Sequence, residues 1–445
     1  MIRLLNPYAN LTGGRWLRGN LHTHSTRSDG SRPQQAVLDD YAARGYGFLM
    51  FSDHDLLTSE ADLQALDSRG LILLPGNEIS RGGPHLLHVD ADRHVASVTS
   101  RQEILNAITA AARETGRGFA VMNHPDWQAQ FDHATIEQLR EWTGYLGMEI
   151  YNGVINRLDG SPYALGKWDM LLSEGRRIWG FANDDLHRAE GDIEHGWNVA
   201  YVREQTPAGL VEALRSGRFY GSTGVVIRSI EVSGARVRIV TENARRIAAL
   251  VNVGRRAAVV DAAEMEFECP PSACYVRFQC WGEGEKMAWT QPFFAEPATD
   301  AAGNEPSPFI PEWQVTNLAE GLALEDATPE KAPRDRITVR SIVTKEKGLL
   351  GFADARAQIR GQPGVVFLRA QIASGEARKA TLYMGYDGSV RIWLNGALLF
   401  EGPGRNPAVV DRLAMNVALK RGANDLLVAL DTNNGRAWGL FGRIA

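Results

Sequence analysis

The segment GNLHTHSTRSDG, residues 19–30, sets His22 and His24 two positions apart and Asp29 shortly after them. On extended backbone, side chains at i and i+2 share a face, so these two imidazoles can chelate one cation. Short apolar runs ending in ligand-type residues recur through the first half of the chain. LMFSDHD ends on Asp53, His54 and Asp55; LLPGNE ends on Glu78; HLLHV contains His85 and His88; FAVMNHP ends on His124. GMEIYN carries Glu149, and GFANDDLH delivers Asp184, Asp185 and His187. Imidazole with carboxylate and no thiolate suits Zn, Mn or Fe and argues against a structural zinc site. If Asp29, Glu78 and Asp185 are ionised and the histidines neutral, three divalent ions leave roughly +3 in the pocket, a field suited to a dianionic phosphate.

Such residues need a scaffold that brings strand ends together. Between residues 18 and 216, apolar runs alternate with helical ones such as SRQEILNAITAAARE, SPYALGKWDMLLSEG and TPAGLVEALRSG. That alternation predicts an α/β barrel or sheet, whose strand carboxyl ends share one face. Histidine vanishes after His195. Beyond FYGSTG the pattern shifts to period two, as in SIEVSGARVRIV and CYVRFQCWG, which predicts a small β-rich domain over 225–296 following a barrel over 1–224. Residues 297–335 begin with a Pro-rich and small-polar stretch and are expected to be linker and extension. Residues 336–445 predict a β-sandwich, with Asp387-Gly388 and Asn395-Gly396 as hairpin signals.

The 445 residues carry a formal charge of −5, and Lys and Arg are interspersed with acids, so no nucleic-acid footprint is present. Cys269, Cys274 and Cys280 have no histidine nearby and are expected to be buried thiols. Neither a long apolar leader nor an 18-residue apolar run is seen, so a cytoplasmic protein with no membrane segment is expected. Oligomeric state is not legible.

HTHSTRSDG, SDHD, GNEIS with HLLHV, NHPDW, MEIYN, ANDDLH and GRFYGSTG, in this order over residues 22–224, resemble the polymerase and histidinol phosphatase (PHP) domain of metal-dependent phosphoesterases. The resemblance implies a distorted (β/α)7 TIM-like barrel with a trinuclear metal centre at the strand ends. It implies one divalent ion on His22, His24, Glu78 and Asp185, a second on Glu78, His85 and His124, and a third on Asp29, His54 and His187. Asp29 stands where some members have His, which shifts preference towards Mn. Of the two histidines in PHLLHV the resemblance favours His85, and residues three apart on a strand face opposite ways. It also implies a metal-bound hydroxide attacking phosphorus in line, with two or three ions in play. Arg27 and Arg188 are candidates for gripping phosphate through a forked guanidinium. Lys167 and Asp55 are weaker candidates for the same work or for proton transfer, and Glu149 and Asp184 for orienting ligands. His94, His133 and His195 are expected to pack or lie on the surface, and Trp127 and Trp168 to line the pocket or, as large aromatic residues more often do, to fill the core.

The last segment is similar to carbohydrate-binding, jelly-roll-like modules of glycoside hydrolases. In SVRIWLNG, alternation puts Val390, Ile392 and Leu394 on the core face and Arg391 and Trp393 on the other. Trp393 and Trp438 are candidate sugar-stacking residues or core fillers. The function expected is hydrolysis of a small phosphate mono- or diester. The alternatives are metal-dependent hydrolysis of a C–N bond or lactone, and a non-catalytic carbohydrate-binding protein.

Overall fold

The computed structural model describes residues 2–9, 11–188, 190–270, 272–297, 309–341, 351–404 and 406–444. The chain divides into two compact units, Met1–Glu296 and Pro297–Ala445.

The first unit opens with β1 (Ile2–Leu5), β2 (Arg15–Asn20), α1 (Gln34–Ala43), β3 (Phe48–Met50), α2 (Glu60–Gln64) and β4 (Ile72–Leu74). It continues with β5 (Gly76–Ile79), β6 (Leu86–Val89), α3 (Arg101–Thr115), β7 (Phe119–Met122), α4 (Ile136–Glu141) and β8 (Tyr145–Asn152). Then follow α5 (Leu165–Ser173), β9 (Trp179–Asn183), β10 (Trp197–Val202), α6 (Pro207–Arg215) and β11 (Phe219–Ser222). Of the amphipathic runs, α3 is capped at both ends. Ser100 accepts from the Glu103 N–H at the start of α3, and Gly116 ends it at φ 76.

The strands do not form one closed barrel among the described residues. β2, β3 and β4 are parallel neighbours in one sheet, and β5 to β9 form a second. Only Pro75 separates β4 from β5; it lacks the N–H that a continuous ladder needs, and the chain changes sheet there. β5–β6 and β6–β7 are antiparallel, whereas β7–β8 and β8–β9 are parallel. Residues 80–85 are too few for a crossover helix, so the regular β/α alternation expected of a TIM-like barrel is lost there. Two isolated parallel bridges, Thr23 with Leu186 and His54 with Glu78, join the two sheets at their carboxyl ends.

Residues 225–296 are mostly strand. Ile227–Ser233, Arg236–Thr241 and Glu264–Glu268 form a three-stranded sheet, while Met287–Thr290 pairs with β11 and extends the sheet that holds β2. A buried ion pair ties this region to α5: Arg277 donates to Asp169 at 2.7 and 2.6 Å, and the Tyr275 hydroxyl donates to it at 2.7 Å. Cys269 and Cys280 are buried and Cys274 is exposed, so the expectation of buried thiols holds for two of the three.

In the second unit a six-stranded and a four-stranded sheet share one core, with Leu368, Ile392 and Val428 from the former meeting Leu382, Met384 and Leu440 from the latter. Asn395 and Gly396, at φ 51 and 86, make the tight turn between Val390–Leu394 and Ala397–Gly402. Asp387-Gly388 is no hairpin: the chain crosses there from one sheet to the other, and the Asp387 carboxylate accepts the N–H groups of Trp438 and Gly439. Of the stretch read as linker and extension, 298–308 lie outside the described residues and 309–335 fold with this unit. Glu312–Thr316 is a strand of the six-stranded sheet, and Leu322, Leu324 and Ala332 pack over Trp393. That cover is why Trp393 is only 5% exposed, although alternation turns it away from the inter-sheet core, whereas Trp438 is 48% exposed.

Candidate metal centre

The strand ends that carry candidate ligands are laced together by backbone hydrogen bonds. Asp185 donates its N–H to the His22 carbonyl and His24 donates to Leu186. Glu78 donates to Ser52, Asp55 to Glu78, and Asn123 to His85. Cut off from water at a sheet end, these groups must pair with one another, and the pairing fixes which side chains face inward. His124 and Asp185 sit at positive φ, 25 and 57, a costly backbone for residues other than glycine.

The side chains converge. Glu78 lies at the centre: its Oε1 is 3.3 Å from His22 Nε2, 3.1 Å from His85 Nδ1 and 3.4 Å from His124 Nε2. Its Oε2 is 2.8 Å from His54 Nδ1 and 3.5 Å from His24 Nε2. Asp185 Oδ1 is 3.1 Å from the Nε2 atoms of both His22 and His24 and 3.5 Å from His187 Nδ1. Asp29 closes the outer side, 3.6 Å from His24 Nδ1, 3.5 Å from His54 Nε2 and 3.3 Å from His187 Nε2. Donor atoms close enough for one ion to reach occur in His22–His24–Asp185, His22–Glu78–His124, His54–Glu78–His85 and His24–Asp29–His54–His187.

Several of these atoms are buried without a hydrogen-bond partner: His22 Nε2, His24 Nε2, His54 Nδ1 and Asp185 Oδ1. Deeply buried polar atoms are normally paired; one cation could satisfy His22, His24 and Asp185 together, and a second the His54 atom beside Glu78. The donor set fits a divalent ion that accepts nitrogen and oxygen.

The electrostatics agree with that fit. Burial opposes charge on Glu78 and Asp185, yet the facing imidazoles, His22 foremost, hold both carboxyls well below their ordinary range. Asp29 is held low in the same sense, because hydrogen bonds from His187 and His54 outweigh its partial burial. Against the desolvation of burial, the facing carboxylates of Asp29 and Glu78 raise His54 to about 10, and those of Asp29 and Asp185 raise His187 to about 9. Burial pushes His85 and His24 down. Without metal, the outer histidines therefore hold protons that a cation must displace.

Around this cluster lies a layer of supporting groups. Glu149 faces no open side: it accepts His22 Nδ1, Asn183 Nδ2, the His124 N–H and Asn152 Nδ2, all at 2.8 Å. It orients His22 and shapes the His124 turn. Asn123, which sequence reading missed, donates to Glu78 at 2.6 Å. Asp53 accepts the N–H and hydroxyl of Ser25 and the Ser28 hydroxyl, bracing the loop that carries Asp29. The signal for both lay beside a ligand, in NH and SDH.

Other candidates lie elsewhere. His88 points to the opposite side of the sheet from His85, beside Gly118, with burial pushing it down to about 4. Asp184 accepts the Tyr41 hydroxyl and the N–H groups of Glu194, His195 and Gly196. Asp55 accepts from Ser80, Arg81 and Ser97. Lys167 donates to the carbonyls of Pro125, Phe131 and Ala134 and pairs with Asp126 at 2.6 Å, so its ammonium anchors a loop. Arg27 is held by Thr58, the Leu57 carbonyl and Asp62, whereas Arg188 is exposed next to His187. His133, expected to pack or lie on the surface, is buried against the site: its ring centroid is 4.7 Å from that of His124, and its Nε2 accepts the His85 N–H at 2.9 Å. Trp127, for which pocket lining and core were both open, is half-buried, its ring centroid 5.1 Å from that of His124 with the two planes nearly perpendicular.

No family model and no curated protein matches the sequence. Among solved structures, the chain is similar to a two-domain protein from Bacteroides vulgatus "containing predicted PHP-like metal-dependent phosphoesterase". Identity is 15% over 63% of this chain and 88% of that one, with a TM-score of 0.40. A candidate metal-dependent phosphoesterase from Bifidobacterium adolescentis matches at 16% identity over 38% of this chain and 87% of that one, with a TM-score of 0.27. A family 35 carbohydrate-binding module from Clostridium thermocellum matches at 9% identity over 18% of this chain and 69% of that one, with a TM-score of 0.15. Likeness this distant decides no function, which rests on the side chains.

Proposed function

We propose that the first unit is a metal-dependent hydrolase of the PHP type that cleaves a small phosphate mono- or diester. The observation that carries it is the cluster of buried, mutually facing atoms of His22, His24, His54 and Asp185 that lack hydrogen-bond partners around Glu78. Two or three divalent ions of the Mn, Zn or Fe kind would be held by His22, His24, Asp29, His54, Glu78, His85, His124, Asp185 and His187. When bound, such ions supply Lewis-acid polarisation of a phosphoryl oxygen and a water acidic enough to attack at neutral pH.

The chain's own residues do the rest. Glu149 holds His22 with its proton on Nδ1, which leaves Nε2 to face the cluster. Glu78 and Asp185, kept ionised by the imidazoles, supply the negative charge that retains cations in a buried place. Asp29, 54% exposed, stands at the open side through which substrate and water pass. Arg188, also exposed beside His187, is placed to meet an incoming anion.

Metal analysis of the purified protein, followed by a panel of phosphate mono- and diesters against amides and lactones under Mn²⁺ and Zn²⁺, tests this reading. Bound metal with turnover of phosphate esters alone is expected. Turnover of amides or lactones alone would reassign the reaction, and a metal-free, inert protein would refute it. The second unit has a reading of its own: Trp438, exposed beside Arg356, is a platform on which a sugar ring can stack.

A further inference from the structure

The chain leaving β7 turns back on itself after His124. Trp127 donates its N–H to the His124 carbonyl, His133 donates to Trp127 and Ala134 to Pro125, so the segment returns to His124 at His133. The Lys167 ammonium fixes that return through the carbonyls of Pro125, Phe131 and Ala134, at 2.9, 2.7 and 2.8 Å. A side chain carried between such anchors is held in one place, as a ligand must be.

What the segment brings back is a third imidazole. His133 is 8% exposed, and its ring centroid lies 4.6 Å from that of His85 and 4.7 Å from that of His124. One donor nitrogen from each of these three histidines lies within 4.8 Å of the other two, close enough for a single ion to reach all three. The set implied by the resemblance includes His85 and His124 but not His133. Packing accounts for the rings meeting, but not for their nitrogens. His124 Nδ1 is buried without a hydrogen-bond partner. His133 Nε2 accepts the His85 N–H at 2.9 Å, and its Nδ1 makes no hydrogen bond among the described residues. Buried polar atoms are normally paired, and Nδ1 is the atom that His133 has left to offer a cation.

We propose that His133 is a metal ligand, and that His85, His124 and His133 together hold one divalent ion through nitrogen alone. The inference rests on the metal centre proposed above, not on the bond it cleaves. Three imidazoles without a carboxylate favour Zn²⁺ or Co²⁺ over Mn²⁺, which sets this place apart from those built around Glu78, Asp185 and Asp29.

The test loads the full chain, labelled with ¹⁵N-histidine, with ¹¹³Cd²⁺, which stands in for Zn²⁺ and couples magnetically to each nitrogen that binds it. A cadmium coupling at His133 Nδ1 is expected, and its signal is identified by its loss in His133→Gln, whose amide oxygen can still accept the His85 N–H. Titration with Co²⁺, followed by visible absorption, supplies a second reading. His133→Gln and His133→Ala should each weaken one equivalent by about a hundredfold or more, at or beyond the upper limit for a residue that only orients a ligand. The other equivalents should bind as in the native chain, which also shows that the variants fold. No cadmium coupling at His133 in the loaded native chain, or a His133→Gln titration that matches the native one, would overturn the ligand. A coupled His133 in a chain that turns over no phosphate ester would leave the ligand standing and sink the phosphoester reading instead.

Discussion

Replacing Glu149 by Gln isolates the supporting layer from the ligands themselves. Glu149 accepts two donors on each oxygen, and Gln can accept on one side only. The His124 N–H is fixed backbone, so the amide oxygen must serve that side, and the new NH2 then faces His22 Nδ1 and Asn183 Nδ2. Asn183 cannot turn over in response, because its Oδ1 already accepts from the Leu21 N–H and Asn198 Nδ2. In the metal-free protein His22 is held charged, against the desolvation of burial, by Asp185, Glu149 and Glu78, so it can respond only by losing the Nδ1 proton and keeping the one on Nε2, the atom that must offer a lone pair to metal. One lost bond to a charged acceptor costs about 1.5–3 kcal/mol, which is the expected fall in stability of the metal-free protein by urea unfolding. Reverting the tautomer to bind metal accounts for a further tenfold to hundredfold loss of affinity, about 1.4–2.7 kcal/mol. Competition with a chromophoric chelator measures it. A Mn²⁺ affinity within about twofold of native would refute the reasoning, whatever happens to stability.

Three further outcomes are expected. Folding raises His54 to about 10 and His187 to about 9, so both are charged at pH 7 in the metal-free protein. Their stabilising contribution is complete below about pH 6.5 and lost as pH rises through 9 and 10; His22 is also held charged, against the desolvation of burial, by Asp185, Glu149 and Glu78, so metal binding at pH 7.5 should release about three protons; calorimetry in buffers of different ionisation enthalpy would show none if this is wrong. His88→Leu should leave metal content unchanged and stability equal or up to about 2 kcal/mol higher, because both ring nitrogens are buried without partners, while His85→Ala should lower metal content; metal analysis with thermal unfolding separates the two. Trp393→Ala should cost about 3–5 kcal/mol of the second unit's stability and Trp438→Ala almost none, with any glycan binding lost only in the latter; an equal loss of stability in both would contradict their placement.

The sequence by itself determined which residue types end which strands. His22, His24, His54, Glu78, His124, Asp185 and His187 each follow an apolar run, and that order survives folding because a strand's direction decides which end its last side chain occupies. It also separated His85 from His88, since residues three apart on a strand face opposite ways. Only the tertiary structure decided how sheets close and which polar residues serve as support. Pro75 and the short 80–85 connection break the barrel pattern through missing donors and missing length, neither of which shows in hydrophobic period. Lys167 and Asp55 carry the same charges as catalytic groups, yet their neighbours turn them to holding loops. Glu149 differs from Glu78 by no local signal; four donors from distant segments surround one and imidazoles the other, and such surroundings exist only once the chain has folded.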